Sequence, residues 1–85
     1  MKVLVIYDIS EDKIRNRISE VCKDYGLSRI QWSAFLGKLS TNRREELYLK
    51  LNKTLKDNDG NIQLYPICSK DLNLKKEIDN GGVGK

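Results

Sequence analysis

Among the twelve acidic side chains of the sequence, Asp8 stands apart: it directly closes the apolar run Val3-Leu4-Val5-Ile6-Tyr7, whereas the others fall on helix-patterned stretches, in a turn cluster or near the end of the chain. A carboxylate at the end of a strand has two ordinary uses. It can accept hydrogen bonds from the backbone of the turn that follows, or it can offer oxygen to a hard cation such as Mg²⁺, which takes one or two carboxylates together with waters and substrate phosphates. One Asp in a lone chain is a poor cation site. A two-fold dimer that brought Asp8 beside its own copy would supply the second carboxylate, and a cation would relieve their mutual repulsion. The chain contains no histidine, which removes the commonest general base and every Ser-His or Cys-His nucleophile pair. Hydrolysis, if the protein performs it, must run on carboxylates and a divalent metal, Mg²⁺ or Mn²⁺.

The basic residues supply the complementary chemistry. Sixteen Lys and Arg against twelve Asp and Glu give a net charge of +4, a balance suited to a polyanionic partner. Arg15 and Arg17 flank the apolar stripe of a helix-patterned stretch, and Arg29, Lys38, Arg43 and Arg44 add positive charge further along. Two readings stand for these cations: they lay their stems over the edge of the core, or they contact phosphates. Arg43 and Arg44 at the start of a helix oppose its dipole by about 0.3–1 kcal/mol each, an arrangement easier to understand if phosphates pass nearby. With no ladder of aromatics among the cations, stacking of single strands has little support.

Other strings carry no chemistry. Asp57-Asn58-Asp59-Gly60-Asn61 has its glycine too early for a calcium loop, and Gly84-Lys85 lacks the remaining positions of a phosphate-binding loop. Cys22 and Cys68 lack paired metal-ligand spacing and read as small buried apolar residues.

The elements that would position these residues follow from periodicity. At 85 residues the chain is one domain, and a core this small is commonly enlarged by a second copy. No apolar run approaches the length of a membrane span, so a soluble, cytoplasmic protein is expected. Val3 to Tyr7 reads as a strand covered on both faces. Residues 11–25 read as a helix with Ile14, Ile18, Val21, Cys22 and Tyr25 on one stripe, Ser10 as N-cap and Gly26 as stop. Residues 29–39 are extended, with Ile30, Trp32, Ala34 and Leu36 alternating, as one strand or two. A second helix is expected over 42–57, with Leu47, Tyr48, Leu51 and Leu55 on its stripe and Thr41 or Asn42 as cap, while Leu49 falls on the opposite side. Ile62 to Ile67 reads as a strand in which Pro66 argues for an edge. This order predicts an α+β, ferredoxin-like βαββαβ sandwich over 1–68, with an antiparallel sheet, two helices on one face, and a homodimer formed through the other, Leu4, Ile6 and Asp8 sharing one parity and pointing toward the partner. A polar tail, weakly ordered or packing on the partner, is expected over 69–85.

Tyr7-Asp8-Ile9, Arg15-Asn16-Arg17, Gly26, Arg29-Ile30-Gln31, Ser33-Ala34-Phe35 and Gly37, in that order and spacing, resemble the second of the core CRISPR-associated protein families, the small endonuclease of spacer acquisition. The resemblance implies a prokaryotic ferredoxin-like homodimer that binds duplex DNA, joins the CRISPR-associated integrase, and has a metal-dependent phosphodiesterase activity on RNA or DNA. It also implies that Asp8 is the metal-binding aspartate, that Arg15, Arg17, Arg29 and Phe35 support the site, and that residues 29–39 form a tight hairpin reversing near Trp32 to Ala34. Two departures stand out: Leu36 occupies a position where members often carry glutamate, and the glycine-rich end differs from the strand that members often lend to a partner. Two functions therefore stay open at this level, a metal-dependent endonuclease and a non-catalytic DNA-binding scaffold.

Overall fold

The computed structural model describes residues 1–78; the glycine-rich end, 81–85, which belongs to the expected tail, lies outside the described residues. The chain runs β1 (Lys2–Asp8), α1 (Asp12–Asp24), β2 (Ser28–Gln31), β3 (Ala34–Lys38), α2 (Thr41–Leu55), β4 (Asn61–Ile67) and a short α3 (Ser69–Asn73). The four strands form one sheet in the order β2-β3-β1-β4, antiparallel throughout. With both long helices on one face, this is the ferredoxin-like arrangement the sequence predicts. Pro66 sits on β4, an edge strand, where its missing N–H costs only what an unpaired side can spare.

Strand parity divides β1. Val3, Val5 and Tyr7 face the helices and are sealed, at 0, 0 and 2 % exposure, whereas Leu4 is half-buried and Ile6 and Asp8 are exposed on the opposite face. The sealed residues meet Ile14, Ile18, Val21 and Cys22 of α1, Leu47 and Leu51 of α2, and Phe35 of β3. Ile9 and Leu27, on the connections, complete this core.

The helix ends differ in detail from the sequence reading. The N-cap of α1 is Glu11, without a side-chain bond, and not Ser10. Burial of Ile9 and capture of the Ile9 and Ser10 carbonyls by the Arg15 guanidinium hold this connection extended one residue longer. At the other end, Gly26 takes φ 84° and donates to the Lys23 carbonyl, while the Leu27 N–H reaches the Cys22 carbonyl. This pair of bonds satisfies two carbonyls the helix would leave open. The cap of α2 is Ser40, whose hydroxyl accepts from the Arg43 N–H, and not Thr41 or Asn42. Leu39 is pinned in the core, with its N–H on the Met1 carbonyl, so Ser40 is the first residue free to turn. Tyr48, expected on the buried stripe, is 55 % exposed because the groove between α2 and β4 stays open. Cys22 is buried as expected, but Cys68 is exposed, since it follows the last paired residue of an edge strand.

Candidate nucleic-acid and metal site

The connections leaving β1 and β2 bring the predicted residues to one end of the sheet. β2 and β3 form a hairpin with Gln31 opposite Ala34, so the reversal falls on Trp32 and Ser33 and residues 29–39 are two strands. The Ser33 carbonyl accepts from the Tyr7 N–H at 3.0 Å, which ties the hairpin tip to the end of β1. On the other side Gly60, at φ 154°, lies so close that a Cβ there would come within 2.9 Å of the Ile9 side chain and 3.3 Å of the Asp8 carbonyl oxygen. The end of β1 is thus held from both neighbouring strands.

On the helix side of that end, Arg29 is the organising residue. Its Nη2 donates to Ser19 Oγ at 2.7 Å and its Nη1 to the Trp32 carbonyl at 3.0 Å. Its Cζ lies 5.1 Å from the Phe35 ring centre and 5.6 Å from that of Trp32, both within cation–π range. Phe35, fully buried, stacks in turn on Tyr7, with centroids 6.3 Å apart and planes 21° from parallel. Burial pushes the Tyr7 phenol above its usual 10.0, against the pull of the Arg29 charge, the Ser19 hydrogen bond and Arg15. It stays neutral and protonated across the physiological range. Arg15 donates to the Ile9 carbonyl at 3.1 Å and pairs with Asp12. Tyr7, Arg15, Asn16, Ser19, Arg29 and Trp32 together line a recess of about 160 Å³.

Asp8 occupies the other face. It is exposed, lies opposite Asn61 in the β1–β4 register, and among the described residues its carboxylate accepts no hydrogen bond. The turn-capping use of this aspartate therefore has no counterpart in the structure. Among the described residues no three metal-ligating side chains converge. As an exposed hard oxygen donor Asp8 suits a divalent cation, but one chain offers one carboxylate at this position.

The remaining predicted residues are not brought to this place. Arg17 is exposed on α1 and makes no ion pair among the described residues. Lys38 is exposed at the far end of the sheet, opposite Lys2. Arg43 lies 4.3 Å from the Tyr25 ring centre and pairs with Glu46 at 3.0 Å, and Arg44 reaches the Met1 sulfur at 3.1 Å. These local partners explain two arginines at a helix start without any phosphate.

Sequence reasoning missed Ser19, Asn16 and Trp32. Ser19 had a legible signal, a polar residue beside Ile18 on the apolar face of α1, and it is 5 % exposed. Trp32 had only the hairpin reversal that the resemblance implies near Trp32 to Ala34, which puts it at the tip without showing that its ring meets Arg29.

The family model described as CRISPR associated protein Cas2 matches residues 1–75. A CRISPR-associated endoribonuclease Cas2 of Desulforudis audaxviator is 48% identical over 79 residues, covering 93% of this chain and 74% of that protein. One from Korarchaeum cryptofilum is 39% identical over 85 residues, covering 100% and 91%. A protein of Thermoproteus tenax named as a Cas1/Cas2 endonuclease fusion is 30% identical over 78 residues, which are 92% of this chain and 30% of the fusion. The crystal structure of Streptococcus pyogenes Cas2 superposes with a TM-score of 0.78 at 21% identity, over 93% of this chain and 100% of that one, a likeness of fold.

Proposed function

Since the chain belongs to the CRISPR-associated Cas2 family, we propose that it is a metal-dependent endonuclease of spacer acquisition, acting on RNA or DNA as a homodimer. The observation that carries this reading is the free carboxylate of Asp8 at the exposed end of β1, one residue from a pinned arginine recess on the opposite face.

Cover for the open sheet face is the case for a dimer. Ile6, Ile30 and Tyr65 are 38, 46 and 45 % exposed, and a hollow of about 280 Å³ lies among Leu4, Ile30, Leu36 and Ile67, bordered by Asp71 and Lys75. A second copy packed on this face would remove that surface from water at about 25 cal/mol per Å² and bring the two Asp8 residues to the same side of their sheets. In this reading residues 1–68 are the folding unit, and the segment after them, whose Asp71 and Lys75 border the same hollow, lies at the edge of the surface a partner would cover. Leu36, at a position open to an acid in the family, instead extends this apolar patch opposite Leu4.

In the chemistry, Asp8 from each copy would hold Mg²⁺ or Mn²⁺, which would supply charge neutralisation at the phosphate and a more acidic water. The chain's own part is positional. Arg15 and Arg29 keep donors beyond those already engaged and hold phosphate oxygens, and the protonated Tyr7 keeps negative charge out of the recess. Arg17, and at lower priority Lys38, Arg43 and Arg44, add contacts along the backbone of a longer nucleic acid. The fusion in Thermoproteus tenax supports the CRISPR-associated integrase as the partner of this chain.

The test is cleavage of labelled RNA and DNA with and without Mg²⁺, for the parent and for Asp8→Asn. Metal-dependent cleavage that falls at least a hundredfold in the variant, with the dimer and binding intact, is the expected result. Cleavage by the variant at the parental rate would overturn the assignment of Asp8. Binding without cleavage by the parent would favour the second reading, a scaffold dimer that holds DNA for the integrase, which the single carboxylate per chain also permits.

A further inference from the structure

Trp32 is large, apolar and 54 % exposed at the tip of the β2–β3 hairpin, yet it is not loose. Its carbonyl takes a hydrogen bond from Arg29, its ring sits in cation–π range of the same guanidinium, and the neighbouring Ser33 carbonyl is tied to β1. Exposed hairpin tips ordinarily carry small polar residues. Here two contacts from one guanidinium and a backbone bond at the next residue hold the tip that carries an indole in the open, at the rim of a recess whose walls include two arginines and Asn16.

The recess, at about 160 Å³, is well below the ~300 Å³ at which ordinary small-molecule clefts begin. It suits one phosphate group and not a whole ligand. A flat aromatic beside a phosphate-sized recess matches the two parts of one nucleotide, whose base stacks while its phosphate is bound by guanidinium donors. A base inside a duplex is stacked on both sides and cannot offer its face to a side chain at the protein surface.

We propose that Trp32 is a stacking platform for one unpaired base, with the adjoining phosphate held by Arg29 and Arg15. The site therefore distinguishes single strands from duplex. This rests on the nucleic-acid reading above and adds to it a residue and a selectivity. Arg29 serves twice, holding the phosphate and fixing the platform, because the Trp32 carbonyl and Ser19 each take one N–H of its two terminal nitrogens, which leaves one N–H on each, while the indole lies in cation–π range of the same group.

Trp32 is the only tryptophan in the chain, so its fluorescence reports on the platform alone. The full chain, in metal-free buffer, is titrated with an unlabelled oligothymidylate of about ten nucleotides and with a blunt DNA duplex of the same length. Affinities for both are measured separately by anisotropy of labelled probes. The single strand is expected to quench the tryptophan at saturation and the duplex to leave it nearly unchanged. Trp32→Ala should weaken single-strand binding by about five- to a hundredfold, the span of base–aromatic stacking, and change duplex binding by less than twofold. Trp32→Phe should recover most of the loss. Saturating single-strand binding without quenching, or equal weakening of both probes in Trp32→Ala, would overturn the platform while leaving nucleic-acid binding in place. Flat anisotropy with both probes would overturn the broader reading and the platform with it.

Discussion

The two faces of β1 come from one apolar run and end in opposite environments. Val3, Val5 and Tyr7 are sealed under two helices, while Ile6 and Asp8 are exposed on the other face and Leu4 lines a hollow that Asp71 and Lys75 border. Among the described residues no buried side-chain polar atom is left without a partner, and on the sealed face Arg29 donates to Ser19 and lies over Phe35; on the open face the Asp8 carboxylate accepts no hydrogen bond from them. The difference shows that a strand apolar on both sides need not be a strand buried on both sides by its own chain. One face stabilises the fold, and the other is available for a partner and for chemistry.

The largest expected contrast is in stability. Phe35→Ala removes a fully buried ring that packs Tyr7 and Arg29 and should cost about 3–5 kcal/mol in urea unfolding, whereas Ile6→Ala on the open face should cost less than about 1 kcal/mol in the isolated monomer. Equal losses would erase the distinction between the faces.

Alkaline pH probes the sealed side next. Burial pushes the Cys22 thiol up from 9.0 to about 12, and the Tyr7 phenol is raised for the same reason. In both cases the native state keeps its proton longer than the unfolded chain. The Cys22 contribution is therefore complete below pH 9 and is lost as pH rises toward 12, and Tyr7 adds to the decline above its ordinary 10.0. Stability should fall by about 1.4 kcal/mol per pH unit for Cys22 in that window, and Cys22→Ala should flatten the decline. A decline of unchanged slope in the variant would assign it to other groups.

On the open side, Ile6→Asp sets a second carboxylate beside Asp8 and should weaken dimerisation at least tenfold, about 1.4 kcal/mol, without unfolding the chain. Sedimentation distinguishes the 9.8 kDa monomer from a dimer. An unaltered dimer would mean that some other surface pairs the copies. The smallest effect expected is electrostatic. Replacing Arg15 and Arg17 together by Ala should lower the dependence of log K on log salt by about 1–2, one phosphate contact for each arginine. An unchanged slope would leave both as side chains that only cover the core edge.

Much of this was legible along the chain. The stripe Ile14, Ile18, Val21 and Cys22, the stop at Gly26, the edge position of Pro66 and the strand end at Asp8 all follow from local patterns. They depend on neighbours within a few residues, where periodicity and turn chemistry act directly. The caps were displaced to Glu11 and Ser40 because burial of Ile9 and Leu39 fixed where each chain segment could turn. Exposure of Cys68 and Tyr48 likewise depends on what does not pack over β4 and α2.

The sequence by itself determined the order of elements, the family to which the motifs belong, and that Tyr7 and Asp8, being consecutive on a strand, must point to opposite faces. A dimer formed through the open sheet face already turns Leu4, Ile6 and Asp8 away from the helices. Only the tertiary structure decided that Tyr7, on the inner face, lines one recess with Arg29 and Ser19, since that depends on pairings between β1, β3 and β4 that are distant in sequence. The placing of Trp32 was decided in the same way. Reversal of the chain at Trp32 and Ser33 converts a three-residue separation from Arg29 into a contact across a turn, which no periodic pattern encodes.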